Sequence, residues 1–160
     1  MAGNGWAVRL AALLEAALLV LLGAMMAGIV ALNLANVVGR YVFSSPVPAA
    51  DEVMTFAMVW GVFLGAGVVT LRGAHLRMDL LLGQLPPGAR RVLEGLATLC
   101  LLLVLGFVTL QSLDYLETVG AIGLTSMSAG LPMSWVHAAI PVGFALMILA
   151  ALLRLLAPRP

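Results

Sequence analysis

Charge is scarce in this sequence. Of 160 residues only 9% are Asp, Glu, Lys or Arg, while 63% are apolar, and a water-soluble fold of this size needs far more polar surface than that. The formal net charge of +1 gives no sign of nucleic-acid binding. A single cysteine, Cys100, excludes an intrachain disulfide and a thiolate metal cluster, and its place inside an apolar stretch reads as that of a small packing residue. With two histidines and no Ser-His-Asp set, metal-binding helix, Walker loop or dinucleotide fingerprint, the chain reads as a non-enzyme that holds no cofactor and no metal.

What the sequence does have is long apolar runs. Four uncharged stretches, Ala16 to Gly39, Val53 to Leu71, Gly95 to Leu113 and Met133 to Leu153, fill most of it, and about 20 residues suffice for a helix to cross a ~30 Å hydrocarbon core. Mean hydropathy is +1.14. The runs are continuous in Leu, Ala and Val rather than alternating, which excludes a β-barrel. The expected fold is an all-α membrane protein of one domain, residues 1–160, with transmembrane helices over about 10–38, 53–71, 92–115 and 133–156. With Met1 on the cytoplasmic side, seven of eight arginines fall on that side and Arg40 alone lies outside. Both termini are then cytoplasmic. The first run exceeds the roughly 7 to 15 residues of a signal-peptide core, so the first helix is expected to be retained.

Polar residues cluster at the ends of these runs. Asn33 and Asn36 share a face near the outer end of helix one, where each amide either bonds to another helix or is wetted at the interface. The outer connection from Arg40 to Pro48 is stiffened by two prolines. Asp51 and Glu52 follow it, placed to complement the positive end of helix two's dipole, with an Arg40–Asp51 or Arg40–Glu52 pair as an additional reading. Ala57, Gly61 and Gly65 recur every four residues on helix two, a strip on which another backbone can approach. Beyond it, Met78, Leu81, Leu82 and Leu85 repeat at helical spacing and predict an interfacial amphipathic helix over about 76–85. His75, Arg77 and Asp79 beside it are either a solvated inner loop or a docking patch. Helix three is expected to end on the outer side at Asp114 and Glu117. Pro132 and Trp135 open helix four, with Trp135 as an aromatic anchor, and Pro141 inside it predicts a kink.

Three blocks in order carry a family resemblance. The first is Asn36 to Phe43, with Ser45 Pro46 Val47 Pro48 and the acidic pair Asp51 Glu52. The second is Gly73 Ala74 His75 Leu76 Arg77 Met78 Asp79 Leu80 Leu81, and the third runs from Ala129 to Trp135 with Ile140 to Leu146. Together they resemble the small membrane subunit of tripartite ATP-independent periplasmic (TRAP) transporters, the DctQ-type family, over nearly the whole chain. One departure is Ala49, where members often carry Trp.

The resemblance implies a bacterial inner-membrane subunit whose partners are a large M-type membrane subunit, a periplasmic substrate-binding protein and membrane lipid. In such a system the binding protein captures the substrate, usually an organic acid. The large subunit translocates it on a sodium gradient, and the small subunit scaffolds the large one in an elevator-like arrangement. Two other classes compete with this reading. A self-contained four-helix transporter acting as a homodimer is disfavoured because no span carries an ionisable group near its middle. A haem-binding anchor of a redox enzyme is disfavoured because His75 and His137 fall on opposite membrane faces.

Overall fold

The computed structural model describes residues 5–73 and 86–156. The interfacial helix expected over 76–85, and with it His75, Arg77 and Asp79, lies outside the described residues. Within them the chain is helical, without a strand, and four helices are long and apolar enough to cross a membrane. They are α1 (Gly5–Val42), α2 (Ala50–Arg72), α3 (Pro87–Ile122) and a fourth span divided into α4 (Met133–His137) and α5 (Ala139–Leu156).

Helices α1 and α3, of 38 and 36 residues, outrun their apolar stretches. The change from hydrocarbon to headgroups ends the need for apolar side chains, not the backbone hydrogen bonding, so a helix stops only at a residue that breaks it. For α1 the break comes at Ser44, whose φ of 51° is left-handed, and the Ser45 amide folds back onto the Gly39 carbonyl at 2.9 Å. Arg40 and Tyr41 therefore belong to the last turn of α1 rather than to the connection. Helix α3 begins with Pro87 after Pro86, the position where a missing N–H costs nothing, and ends at Gly123 with φ 68°. Asp114 and Glu117 do not end this helix; it continues past them to Ile122. In the fourth span the break falls at Ala138, three residues before Pro141, because Pro141 cannot donate to the His137 carbonyl. Val142 resumes the ladder by donating to Ala138 at 3.2 Å.

Helices α2 and α5 pack against each other at the centre, α1 flanks α2, and α3 packs on α5. Leu18 of α1, Leu64, Val68 and Leu71 of α2, and Ala150 and Leu153 of α5 form one buried cluster. The tightest approach is between α2 and α5. A Cβ on Gly143 would lie 2.5 Å from the Cβ of Phe63, and one on Gly67 would lie 2.5 Å from Cδ2 of Leu146. Phe63 and Phe144 meet edge to face beside it, centroids 5.6 Å apart. The Gly61 and Gly65 strip is not this contact, since a Cβ on either would meet nothing within 4 Å. Gly67 is two residues on from Gly65, about 200° around the helix, so the face with regular glycine spacing points away from α5. Cys100 is exposed on α3 instead of filling a core gap.

These contacts rank three substitutions. Gly143→Ala collides with a fixed Cβ and is expected to cost about 1–3 kcal/mol, Gly67→Ala less because Leu146 can rotate, and Gly61→Ala nothing. Thermal unfolding of the purified protein in detergent checks the order, and equal loss at Gly61 and Gly143 would refute it.

Candidate functional site

The polar side chains that the helices bring together lie in two layers. In the outer layer Asn36 of α1 is buried and uses both ends of its amide. Its Oδ1 accepts from the Val47 backbone N–H at 3.1 Å, and its Nδ2 donates to Asp51 Oδ1 of α2 at 3.4 Å. One amide thus fastens α1, the proline-containing connection and α2. Asn33, a turn deeper, is exposed. Asp51 is engaged by Asn36, and among the described residues Arg40 forms no ion pair with Asp51 or Glu52.

Glu52 reaches across to the connection between α3 and α4. There Leu124 accepts from Met133 N–H at 2.9 Å and Leu131 from Ser126 N–H at 2.8 Å, so residues 124–133 form a narrow loop with Gly130 at φ 64°. The Glu52 carboxylate receives the Ser128 N–H at 3.0 and 3.1 Å and the Ala129 N–H at 2.8 Å. These are charge-assisted bonds, stronger than neutral ones. Pro132 lies at the base of this loop, opposite Thr125. Trp135 is exposed, as suits an aromatic at a lipid interface, and its carbonyl accepts from Trp60 Nε1 at 3.2 Å. His137 packs edge to face on Tyr115 of α3, centroids 5.1 Å apart.

The inner layer was not paired by sequence reasoning. Arg72, the last residue of α2, forms an ion pair with Glu15 of α1 at 2.8 Å. Arg154 of α5 lies against Gly73 and points Nη1 at the Thr70 carbonyl, 3.5 Å away. Gly73 closes α2 at φ 66°, and the Arg154 guanidinium fills the place where a side chain would project. A cation there complements the negative end of the α2 dipole. The sequence signal was present, since a charge flanking each span marks a boundary, but the choice of partner is tertiary.

The two layers are in register. Glu15 to Asn36 on α1 and Arg72 to Asp51 on α2 (36 − 15 and 72 − 51) are each 21 residues. At ~1.5 Å per residue this is about 31 Å, the thickness of a bilayer's ~30 Å hydrocarbon core. Between the layers, α1 and α2 contain no ionisable residue. Among the described residues no three His, Cys, Asp or Glu side chains gather as metal ligands. What this arrangement does chemically is hold: it fixes helix ends to one another at both faces, with no ionisable side chain of α1 or α2 between them.

The family profile described as "Tripartite ATP-independent periplasmic transporters, DctQ component" matches residues 29–159. The chain is similar to the ectoine TRAP transporter small permease protein TeaB of Halomonas elongata, 29% identical over 112 residues, covering 70% of this chain and 58% of that protein. It is also similar to a protein of Haemophilus influenzae assigned as a TRAP transporter small permease protein, 29% identical over 96 residues, covering 57% of this chain and 58% of the relative. Each match spans less than two thirds of the relative's length.

The outer layer can be tested directly. Asn36→Leu leaves the Val47 N–H and Asp51 without their partner and is expected to cost about 1–3 kcal/mol in detergent unfolding. Glu52→Ala frees the 124–133 loop, so a spin label on the exposed Met127 should become more mobile; an unchanged spectrum would mean that the loop holds itself.

Proposed function

This chain belongs to the DctQ component family of tripartite ATP-independent periplasmic transporters, and from that premise we propose that it is the fixed scaffold on which the large membrane subunit works. The family is one of transporter subunits, not enzymes, and a family member with four apolar helices is a multi-pass protein of the bacterial inner membrane. In the proposed system a periplasmic binding protein delivers an organic acid, and the large subunit carries it inward on a sodium gradient. The small subunit keeps both termini in the cytoplasm, as the distribution of arginines favours.

The observation that carries the scaffold reading is the pairing of an uncharged interior with fastened ends. A carrier that moves ions or acids by itself places ionisable groups in the membrane to receive them; here α1 and α2 have none between the two polar layers, and α5 none before Arg154. Tight α2–α5 packing and the bonds at both faces resist relative movement of the helices. A rigid body beside a moving one is what alternating access by rocking or sliding of one unit requires. The family relative in Halomonas elongata is named for ectoine, which is consistent with uptake of small polar solutes by this group.

Purification through a tag on this chain should bring down a large multi-span partner. Liposomes holding this chain alone should show no solute flux, and uptake should require the large subunit, the binding protein and an inward sodium gradient. Flux with the small subunit alone, or full transport after its deletion, would contradict the proposal.

A further inference from the structure

The connection between α3 and α4 carries apolar side chains that the rest of the chain leaves uncovered. No Asp, Glu, Lys or Arg occurs between Glu117 and Arg154. Leu124, Met127 and Leu131 are exposed, and Met127 stands wholly clear of its neighbours. On a loop surrounded by water such side chains are unfavourable.

The level of this loop is bounded by Glu52, whose carboxylate accepts the Ser128 and Ala129 N–H groups at 2.8 to 3.1 Å. A glutamate carboxylate reaches about 5 Å from its Cα, and with a ~3 Å bond the two amide nitrogens lie within about 8 Å of the Glu52 backbone, whichever rotamer the side chain adopts. Glu52 follows Asp51 of the outer layer by one residue. Headgroups extend about 5–7 Å beyond the hydrocarbon on each face, so the tip of the loop is confined to the headgroups and the edge of the hydrocarbon. The chain then runs inward. The Trp135 carbonyl meets the indole of Trp60, eight residues further along α2 than Glu52 (60 − 52); that is ~12 Å of helix, more than an indole and its bond span.

The backbone of the loop suits this level. The N–H groups of Ser126, Leu131 and Met133 bond within the loop, and those of Ser128 and Ala129 bond to Glu52. A segment without helix is tolerated beside lipid only when its polar groups are occupied in this way. The same rim carries Tyr41 and Phe43, beyond Asn36, and Trp135, all exposed, and aromatic rings favour the headgroup level.

We propose that the 124–133 connection is an interfacial finger that sets Leu124, Met127 and Leu131 into the outer headgroup layer of the bilayer, with Glu52 as the positioning residue that holds it there. The partner is the lipid surface and not a soluble protein: the loop presents no charge to draw one from water, and its tip is tethered at the height of the headgroups. The proposal depends on the polar layers marking the edges of the bilayer, and not on the scaffold role.

The test uses the full chain in nanodiscs of phosphatidylcholine and phosphatidylglycerol, with an environment-sensitive fluorophore on the single thiol of a Cys100→Ser, Met127→Cys variant. Its emission should be shifted to the blue of the free dye. Iodide in the buffer should quench it several-fold less than the free dye, and nitroxide-headgroup lipid should quench it. Adding Glu52→Ala leaves two amide donors unpaired, which draws the tip toward water; emission should then move to the red and iodide quenching should rise. Unchanged quenching in that variant would overturn the part given to Glu52. A dye on Leu34→Cys, exposed two residues inside Asn36, is the reference for the layer itself. If Leu34→Cys is shielded while Met127→Cys is quenched like the free dye, the finger is overturned and the layers stand; if both are open to iodide, the layers fail and the finger with them. Shielding of Met127→Cys that appears only when a binding protein or a large subunit is added would also overturn it. Should the Met127→Cys variant not accumulate, Leu131→Cys takes the dye in its place, with the same outcomes.

Discussion

Two layers of polar contacts, one at each membrane face, set the frame for the rest of this protein. In hydrocarbon there is no hydrophobic drive to hold helices together, because lipid tails are as apolar as leucine. Association then rests on close packing and on bonds between polar groups. This chain keeps those bonds at the boundaries. Asn36 and Asp51 join α1 to α2 outside, Glu15 and Arg72 join them inside, Glu52 draws in the α3–α4 connection, and Arg154 ties α5 to the end of α2. The equal spacing on α1 and α2 makes the frame a measure of bilayer thickness.

Inside the frame, shape does the work. Gly67 and Gly143 let α2 and α5 approach until side-chain carbons of Leu146 and Phe63 occupy the space where a methyl would stand. Such packing has little freedom to slide, and contact at that distance favours a bundle that moves as one piece. The flanking helices differ from this centre. Helices α1 and α3 bury little of their length, and they are the surfaces available to lipid and to a partner.

The four spans were legible in the sequence because length and continuous hydropathy are properties of single segments. The break before Pro141 was legible for a similar reason: a missing N–H acts on its own helix. Helix ends were harder, since nothing in a headgroup layer stops α1 at Val38 or α3 at Tyr115. Partner choice was illegible because it joins residues far apart in the chain. Glu15 and Arg72, 57 residues apart, and Glu52 with Ala129, 77 apart, meet only once the bundle has formed. The glycine strip shows what spacing carries: it identifies a face that permits close approach, but not which neighbour uses it. Gly61 and Gly65 have the regular interval, and Gly67, without it, makes the contact.

Depth in the membrane is the quantity on which this account stands, and spin labels placed singly along the exposed face of α1 in liposomes measure it. The ratio of oxygen to nickel accessibility should pass from headgroup to hydrocarbon values near Glu15 and return near Asn36, with its maximum midway. Boundaries displaced from those levels by about two turns, some 11 Å, would show that the polar layers do not mark the edges of the bilayer.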